Sequence, residues 1–160
     1  MKKTFYWLTL GPLAFLTACT FNPAPLALQP VGPRSIADSA TVGNGGLVVF
    51  SAWDPLANLY VRDHSDYKIL STNGTLVRRV TNALYSYDND PVPVELPAGQ
   101  YQVLAMSEDA GKVLVPVRIA AGQATSVYLD GYEHLRASQV GRDSVVKLPN
   151  GEIVGWAAKE

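Results

Sequence analysis

The sequence contains a single cysteine, Cys19, so the chain can form no internal disulfide and its stability must come from a buried core. Its two histidines, His64 and His134, are far apart, and no closely spaced His or Cys pair suggests a metal site. No glycine-rich phosphate-binding motif occurs, which argues against a nucleotide cofactor. No apolar run reaches the roughly 20 residues that a transmembrane helix needs. We therefore predict no cofactor and no metal.

The first residues have the organisation of a secretory signal peptide. Lys2 and Lys3 precede a mostly apolar segment at 5–16, and no acidic residue occurs before the cysteine. A basic start, an apolar middle and small residues at the end are typical of such signals. We therefore predict a signal helix within a cleavable signal peptide at residues 1–18.

The end of this segment reads Leu16-Thr17-Ala18-Cys19 and resembles the lipobox of bacterial lipoproteins. The resemblance implies signal cleavage between Ala18 and Cys19, and a lipid anchor on the Cys19 thiol that attaches the protein to the membrane. In a diderm bacterium it implies outer-membrane sorting, because Thr20 stands where aspartate is the usual inner-membrane retention signal. The alternatives are an ordinary signal peptide with a chance cysteine, or a buried cysteine in the mature fold.

The segment after the cysteine has the composition of a spacer. Four prolines occur within residues 21–34, and proline favours extended backbone without ladder hydrogen bonds. We therefore predict that residues 19–45 comprise the lipidated cysteine and a disordered, proline-rich linker, with a proline-rich ligand for a partner as the alternative. Without residues 1–18 the chain carries 11 basic and 14 acidic residues, a net charge of −3. This mild acidity argues against nucleic acid as a partner and against electrostatic membrane binding.

Residues 46–131 show the alternation of apolar and polar residues that is typical of half-buried strands. The clearest case is KVLVPVRI at 112–119, where every second residue is Val or Ile. Six to eight such segments separated by turns predict an all-β fold, an antiparallel Greek-key β-sandwich. Asn73-Gly74 predicts a hairpin turn, and the proline-flanked segment at 91–96 predicts an edge strand.

The segment VELPAGQYQV at 94–103 resembles the strand–turn–strand signature of carboxypeptidase-regulatory-like and other prealbumin-like domains. In those domains an L-P-x-G-x-Y stretch turns the chain and the tyrosine hydroxyl holds the corner. The resemblance implies this structural role for Gly99 and Tyr101, and a prealbumin-like or Ig-like sandwich. It implies no enzymatic activity, because the regulatory-like domains are typically non-catalytic and one sandwich hosts many functions.

Residues 132–160 form a C-terminal extension after the predicted sandwich. The segments 144–148 and 152–156 flank Pro149-Asn150-Gly151, a sequence typical of a tight turn. We predict a β-hairpin here, which either completes the sandwich or lies apart from it.

The segment Arg62-Asp63-His64-Ser65-Asp66 contains the three residue types of a catalytic triad. Members this close in sequence cannot all converge on one reacting atom, so we interpret the segment as a polar loop. No other pairing of a nucleophile with a base is visible, and the chain is predicted not to be an enzyme.

Tyrosines in a connecting segment provide the candidate ligand contacts. Tyr85, Tyr87 and Asp88 lie between predicted strands, and tyrosine makes efficient contacts with proteins and sugars. The predicted function is a non-catalytic module of the cell envelope that binds or scaffolds another envelope protein. A module that binds a glycan or a small ligand through these tyrosines is the alternative.

Overall fold

In a computed structural model of the chain, the described residues are 28–33, 43–54, 63–82, 90–132 and 145–157. Within these ranges the chain forms nine strands and no helix, which confirms the predicted all-β fold and leaves no helix there that could cross a membrane. The predicted signal helix lies outside the described residues. The strands are β1 (Asn44–Phe50), β2 (Tyr67–Ser71), β3 (Leu76–Val80), β4 (Val94–Pro97), β5 (Gly99–Ser107), β6 (Gly111–Ile119), β7 (Ala124–Tyr128), β8 (Val145–Lys147) and β9 (Ile153–Trp156).

Two sheets form a β-sandwich, one with the order β4-β1-β7 and the other with the order β3-β2-β5-β6. All pairs in the four-stranded sheet are antiparallel, as is the pair of β1 with β4. The pair of β1 with β7 runs parallel and differs from the predicted antiparallel arrangement. Alternation of residue types shows which face of a strand is buried, but it carries no information on the direction of the neighbouring strand.

The core lies between the two sheets and is built from the alternating apolar residues. Val103 of β5 pairs with Val115 of β6, and both side chains are fully buried. Leu47 and Val49 of β1 are fully buried as well and belong to the same apolar cluster. Each such burial contributes about 1.5–3 kcal/mol, so a core of this kind supplies stability that no internal disulfide can provide.

Part of the predicted linker belongs to the sandwich. Val31 is 1% exposed, pairs in parallel with Val117 of β6, donates its N–H to the carbonyl of Pro116 and accepts the N–H of Arg118. The prediction of a disordered linker therefore does not hold at Val31. The N–H that Pro116 lacks would point to the same side as its carbonyl, away from β5, so the proline costs β6 no hydrogen bond to β5.

The C-terminal strands β8 and β9 pair antiparallel, at the positions where the sequence predicts a hairpin. Gly32 donates its N–H to the carbonyl of Trp156 (2.8 Å) and pairs in parallel with Ala157. Residues 31–32 thus contact β6 on one side and the end of β9 on the other. Because the apolar side chains of Val146 and Val154 join the main core, the hairpin completes the sandwich instead of lying apart.

Candidate functional site

Each of the two sheets ends in two outer strands, and three of these four described edges are covered or blocked. The edge of β6 pairs with Val31, and β7 lies beside β9, where Tyr128 and Trp156 meet with ring centroids 5.1 Å apart. β4 follows Pro91 and Pro93, which cannot donate hydrogen bonds to an added strand, and it is an outer strand as the sequence predicts. The fourth edge is β3.

β3 presents an exposed edge with both apolar and cationic side chains. Leu76 and Val77 are 52% and 47% exposed, and Arg78 and Arg79 follow them on the same strand. Among the named strands, β3 pairs with β2 only, so its other side is an outer edge of the sheet. An outer strand of this kind is a template for an incoming strand from another protein.

A β-bulge lies in the pairing of β3 with β2. The register shifts so that Leu70 faces Leu76 while Ile69 faces Arg78, which leaves Val77 as the extra residue. Bulges increase the local twist of a strand, and edge charges oppose uncontrolled pairing of two copies. Both features restrict strand addition at this edge to a segment that fits the bulge and the two arginines.

The turn that precedes β3 is held by local hydrogen bonds. The side-chain oxygen of Asn73 accepts hydrogen bonds from the Ser71 hydroxyl (2.5 Å) and the Thr75 N–H (3.1 Å). Gly74 has a φ of 84°, a left-handed conformation that glycine adopts without steric cost. The start of the exposed strand is thus fixed.

The segment that follows β3 is fixed as well. The Asp66 carboxylate accepts hydrogen bonds from the Thr81 hydroxyl (3.4 Å) and the Asn82 N–H (3.2 Å). The Asn82 side-chain oxygen accepts the N–H of Val92 at 3.1 Å. With both ends held, β3 is ordered before any partner arrives, and this lowers the entropic cost of binding.

Tyr67 faces the core beside the end of β3, where it pairs with Val80. Its side chain is buried, and its hydroxyl has no hydrogen-bond partner among the described residues. Burial raises the pKa of Tyr67 well above its ordinary value of 10.0, and the charge of Arg78 opposes this shift only in part. The phenol therefore stays neutral in the folded protein.

His64 is buried, in contrast to the predicted polar loop. Its ring is 3% exposed and stacks on Trp53 with ring centroids 4.3 Å apart. Its Nδ1 donates to the carbonyl of Ser51 (2.5 Å), and the Ser51 hydroxyl donates to the carbonyl of Ser65 (2.6 Å). The Ser51 hydroxyl is thus directed at a carbonyl, and the pair is not arranged as a nucleophile and its base.

The ring of His64 belongs to a row of aromatic side chains. Phe50 meets His64 edge-on (5.8 Å) and stacks on Tyr128 (5.1 Å), which in turn contacts Trp156 of β9. Aromatic pairs at these distances add about 0.5–1.5 kcal/mol each beyond their burial. The row connects the three-stranded sheet to the C-terminal hairpin, and its role in the described structure is packing.

Five of the predicted site residues lie outside the described residues: Ala18, Cys19, Tyr85, Tyr87 and Asp88. Signal cleavage and lipidation, and ligand contact through the tyrosines, therefore stay predictions.

The other two predicted site residues lie at the turn between β4 and β5. The Tyr101 hydroxyl donates a hydrogen bond to the carbonyl of Pro97 (3.0 Å). A Cβ added at Gly99 would lie 3.5 Å from the Tyr101 ring, an ordinary contact distance. The two residues lie together as a local structural unit.

The sequence predicts a hairpin around Asn73-Gly74, but the exposed edge of β3 is not among the candidate sites predicted from it. The available signal was LVRRV itself, in which two adjacent apolar residues and two adjacent arginines break the alternation of a half-buried strand. Such a pattern indicates a strand that has solvent on more than one side.

Within the described ranges, no group of three His, Cys, Asp or Glu side chains could hold a metal ion. No protein-family model, curated protein or solved structure matches the chain. The candidate functional site is therefore defined by its geometry, as the exposed edge of β3.

Proposed function

We propose that this protein is a membrane-anchored, non-catalytic β-sandwich that binds another protein of the bacterial envelope by strand addition at β3. The observation that carries the proposal is the exposure of Leu76 and Val77 on an outer strand held in place at both ends. In strand addition, backbone hydrogen bonds provide affinity and alternate side chains provide specificity.

The side chains of β3 indicate which segment would fit. Leu76 and Val77 favour an apolar contact, whereas Arg78 and Arg79 present guanidinium groups that bind carboxylates in a bidentate manner. The fitting partner is an extended segment in which one or two apolar residues lie close to Asp or Glu. Such a segment pairs with β3 more favourably than a second copy of β3, whose arginines would repel these arginines.

The resemblance of residues 16–19 to a lipobox supports the membrane anchor. Attachment at Cys19 would confine the sandwich to a thin layer above the membrane. A partner in the same membrane would then meet β3 at a high effective concentration, so that a single short strand contact suffices for binding.

Site-specific photocrosslinking in a diderm bacterium tests the docking edge. A photoreactive amino acid replaces Leu76 on β3 or, as the matched control, Glu95 on the proline-flanked β4, which is also exposed. We expect a discrete protein adduct from position 76 and none from position 95. Adding Val77→Asp, which places a carboxylate against the acidic partner, should remove most of the adduct at position 76.

A fold control accompanies this experiment, because an unfolded variant would also lose the adduct. Val77 is 47% exposed, so Val77→Asp should change the free energy of unfolding by less than about 1 kcal/mol. Equal adducts at positions 76 and 95, or an adduct that survives Val77→Asp in a folded protein, would show that β3 is not the docking edge.

A further inference from the structure

Three cationic side chains lie together on the outer face of the four-stranded sheet. Lys68 of β2 is opposite Arg79 of β3, and Lys112 of β6 is opposite Met106 of β5. The three cationic side chains, Leu104 and Met106 line a shallow pocket of about 120 Å³. We call Lys68, Arg79 and Lys112 the basic corner.

The basic corner places like charges against one another. Lys68 and Arg79 are direct cross-strand partners, and like charges in such a pair are destabilising. Asp66 also lines the pocket and offsets one of the three positive charges, which leaves the corner with a net charge of +2. An anion from outside the chain would relieve the repulsion, so the corner has the chemistry of an anion-binding surface.

The described residues on the anchor side of Val31 run toward the same end of the sheet. Val31 pairs with Val117 in parallel, so residues 28–30 run toward the beginning of β6, where Lys112 lies. Leu28 packs against the core along this path. Val31 lies only 12 positions after Cys19, and a fully extended chain of that length spans about 40 Å at most.

We propose that the basic corner binds the phosphate groups of anionic lipid headgroups in the membrane that carries the protein. This proposal rests on the lipid anchor of the proposed function and goes beyond it, because it assigns a second contact and an orientation. The outer face of the four-stranded sheet would tilt toward the membrane at the basic corner, and β3 would be presented sideways to partners in the same membrane.

The chemistry of the corner suits a membrane surface. Lys and Arg near an anionic membrane each contribute to attraction, and the effect falls off within a Debye length, so only a locally clustered patch matters. Met106 is 40% exposed between the cations and offers an apolar contact at the same surface. The net charge of −3 does not oppose this contact, because it averages over the whole molecule whereas the attraction is local.

Fluorescence quenching on vesicles tests the orientation. The protein is purified with its lipid, so that Cys19 is blocked and a cysteine introduced by Met106→Cys carries the only fluorophore. Gln100→Cys is the matched control, because Gln100 is exposed on the same face of β5, about 20 Å farther along the strand. Both proteins are placed in phosphatidylcholine vesicles with or without phosphatidylglycerol, and a headgroup nitroxide serves as the quencher.

We expect strong quenching at position 106 only in vesicles that contain phosphatidylglycerol, and weak quenching at position 100 in both. Each of Lys68→Gln, Arg79→Gln and Lys112→Gln should lower the ratio of membrane-facing to free orientations by about fivefold, and the triple variant by about a hundredfold. Salt at about 0.5 M should act in the same direction, because it screens the attraction.

Equal quenching at positions 100 and 106, or quenching that is independent of phosphatidylglycerol, would overturn the proposal. If the label at position 106 is quenched in neither type of vesicle but is shielded in intact envelopes, the basic corner binds an acidic protein, and this result also overturns the proposal. If the membrane contact of the basic corner is overturned, the crosslinking expected at β3 is unchanged. If the purified protein carries no lipid, the anchor itself has failed, and co-sedimentation with the same vesicles then decides whether the corner selects anionic headgroups.

Discussion

The hydroxyl group of Tyr67 is buried at the base of the exposed edge and has no hydrogen-bond partner among the described residues. Leaving a buried donor unpaired costs about 1–3 kcal/mol relative to a paired one. The ring itself fills the core between β2 and the facing sheet, and its burial is favourable. The structure thus retains a phenol where a phenyl ring would serve the packing equally well.

We therefore expect Tyr67→Phe to raise the free energy of unfolding at neutral pH by about 1 kcal/mol. The reason is that the substitution removes the unpaired hydroxyl and keeps the ring. Urea unfolding followed by fluorescence measures the difference. Tyr101→Phe is the control with the opposite sign, since it removes the hydrogen bond to Pro97 and should cost about 0.5–1.5 kcal/mol. A loss of stability in Tyr67→Phe would show that the hydroxyl is paired in the native protein.

The same residue predicts a dependence of stability on alkaline pH. Burial raises the pKa of Tyr67 above the ordinary value of 10.0, so the unfolded chain releases the proton before the folded protein does. Ionisation then favours the unfolded state, and stability falls as pH rises above about 10, by up to 1.4 kcal/mol per pH unit from this group. The difference in stability between Tyr67→Phe and the wild type should therefore widen above pH 10. A constant difference between pH 8 and pH 11 would contradict the burial of the phenol.

At the scale of elements, residues 31–32 join parts of the chain that are distant in sequence. Val31 contacts β6 and Gly32 contacts the end of β9, so the N-terminal segment lies between the four-stranded sheet and the C-terminal hairpin. Gly155 of β9 makes this approach possible, because a Cβ there would lie 2.5 Å from Cγ1 of Val31 and 3.1 Å from the carbonyl oxygen of Ser126. The absence of a side chain at residue 155 therefore lets the hairpin pack on Val31 and β7.

Gly155→Ala should detach or displace the hairpin and lower the free energy of unfolding by about 2–3 kcal/mol, because the new methyl group overlaps Val31. Chemical unfolding measures the loss, and limited proteolysis locates it in residues 145–157. Gly46→Ala is the control, since its Cβ would lie 3.8 Å from the nearest neighbour. Val31→Ala alone should cost about 2 kcal/mol, and in combination with Gly155→Ala the total loss should fall below the sum of the two. Strict additivity would mean that the two residues do not touch.

Strands were predictable wherever burial on one face imposed alternation, as in β5 and β6. Contacts between distant segments were not predictable, because nothing in the proline-rich sequence around Val31 indicates that this residue is buried. The burial of His64 was not predicted for the same reason. Trp53, which stacks on its ring, and Ser51, whose carbonyl accepts its hydrogen bond, come close to it only in the folded protein, whereas its neighbours in the sequence are polar. The pattern LVRRV of β3 indicates a strand with solvent on more than one side, but it does not show which neighbours the strand has, since that depends on how the sheets assemble.

At the scale of the whole molecule, the proposed contacts have different ranges and add to one another. A lipid on Cys19 would set the location, the basic corner would set the orientation, and β3 would set the choice of partner. Net charge could not indicate this division, because the cations at Lys68, Arg79 and Lys112 converge only in the folded sheet. The division makes the anchor separable from the rest, since Cys19 lies 12 positions before Val31, which pairs with β6.

We expect Cys19→Ala, expressed in a diderm bacterium, to lose both a lipid-sized addition in intact mass and its place in the outer-membrane fraction. The reason is that buried acyl chains contribute about 0.8 kcal/mol per methylene, so two or more chains hold a protein on a membrane whereas the basic corner alone does not. The folded core should be unaffected, and Cys19→Ala should unfold at the same urea concentration as the wild type. Thr20→Asp is the matched control, because it should keep the lipid mass while shifting the protein to the inner membrane. If the wild-type protein carries no lipid, the proposed anchor is wrong, and β3 would then bind its partner from solution.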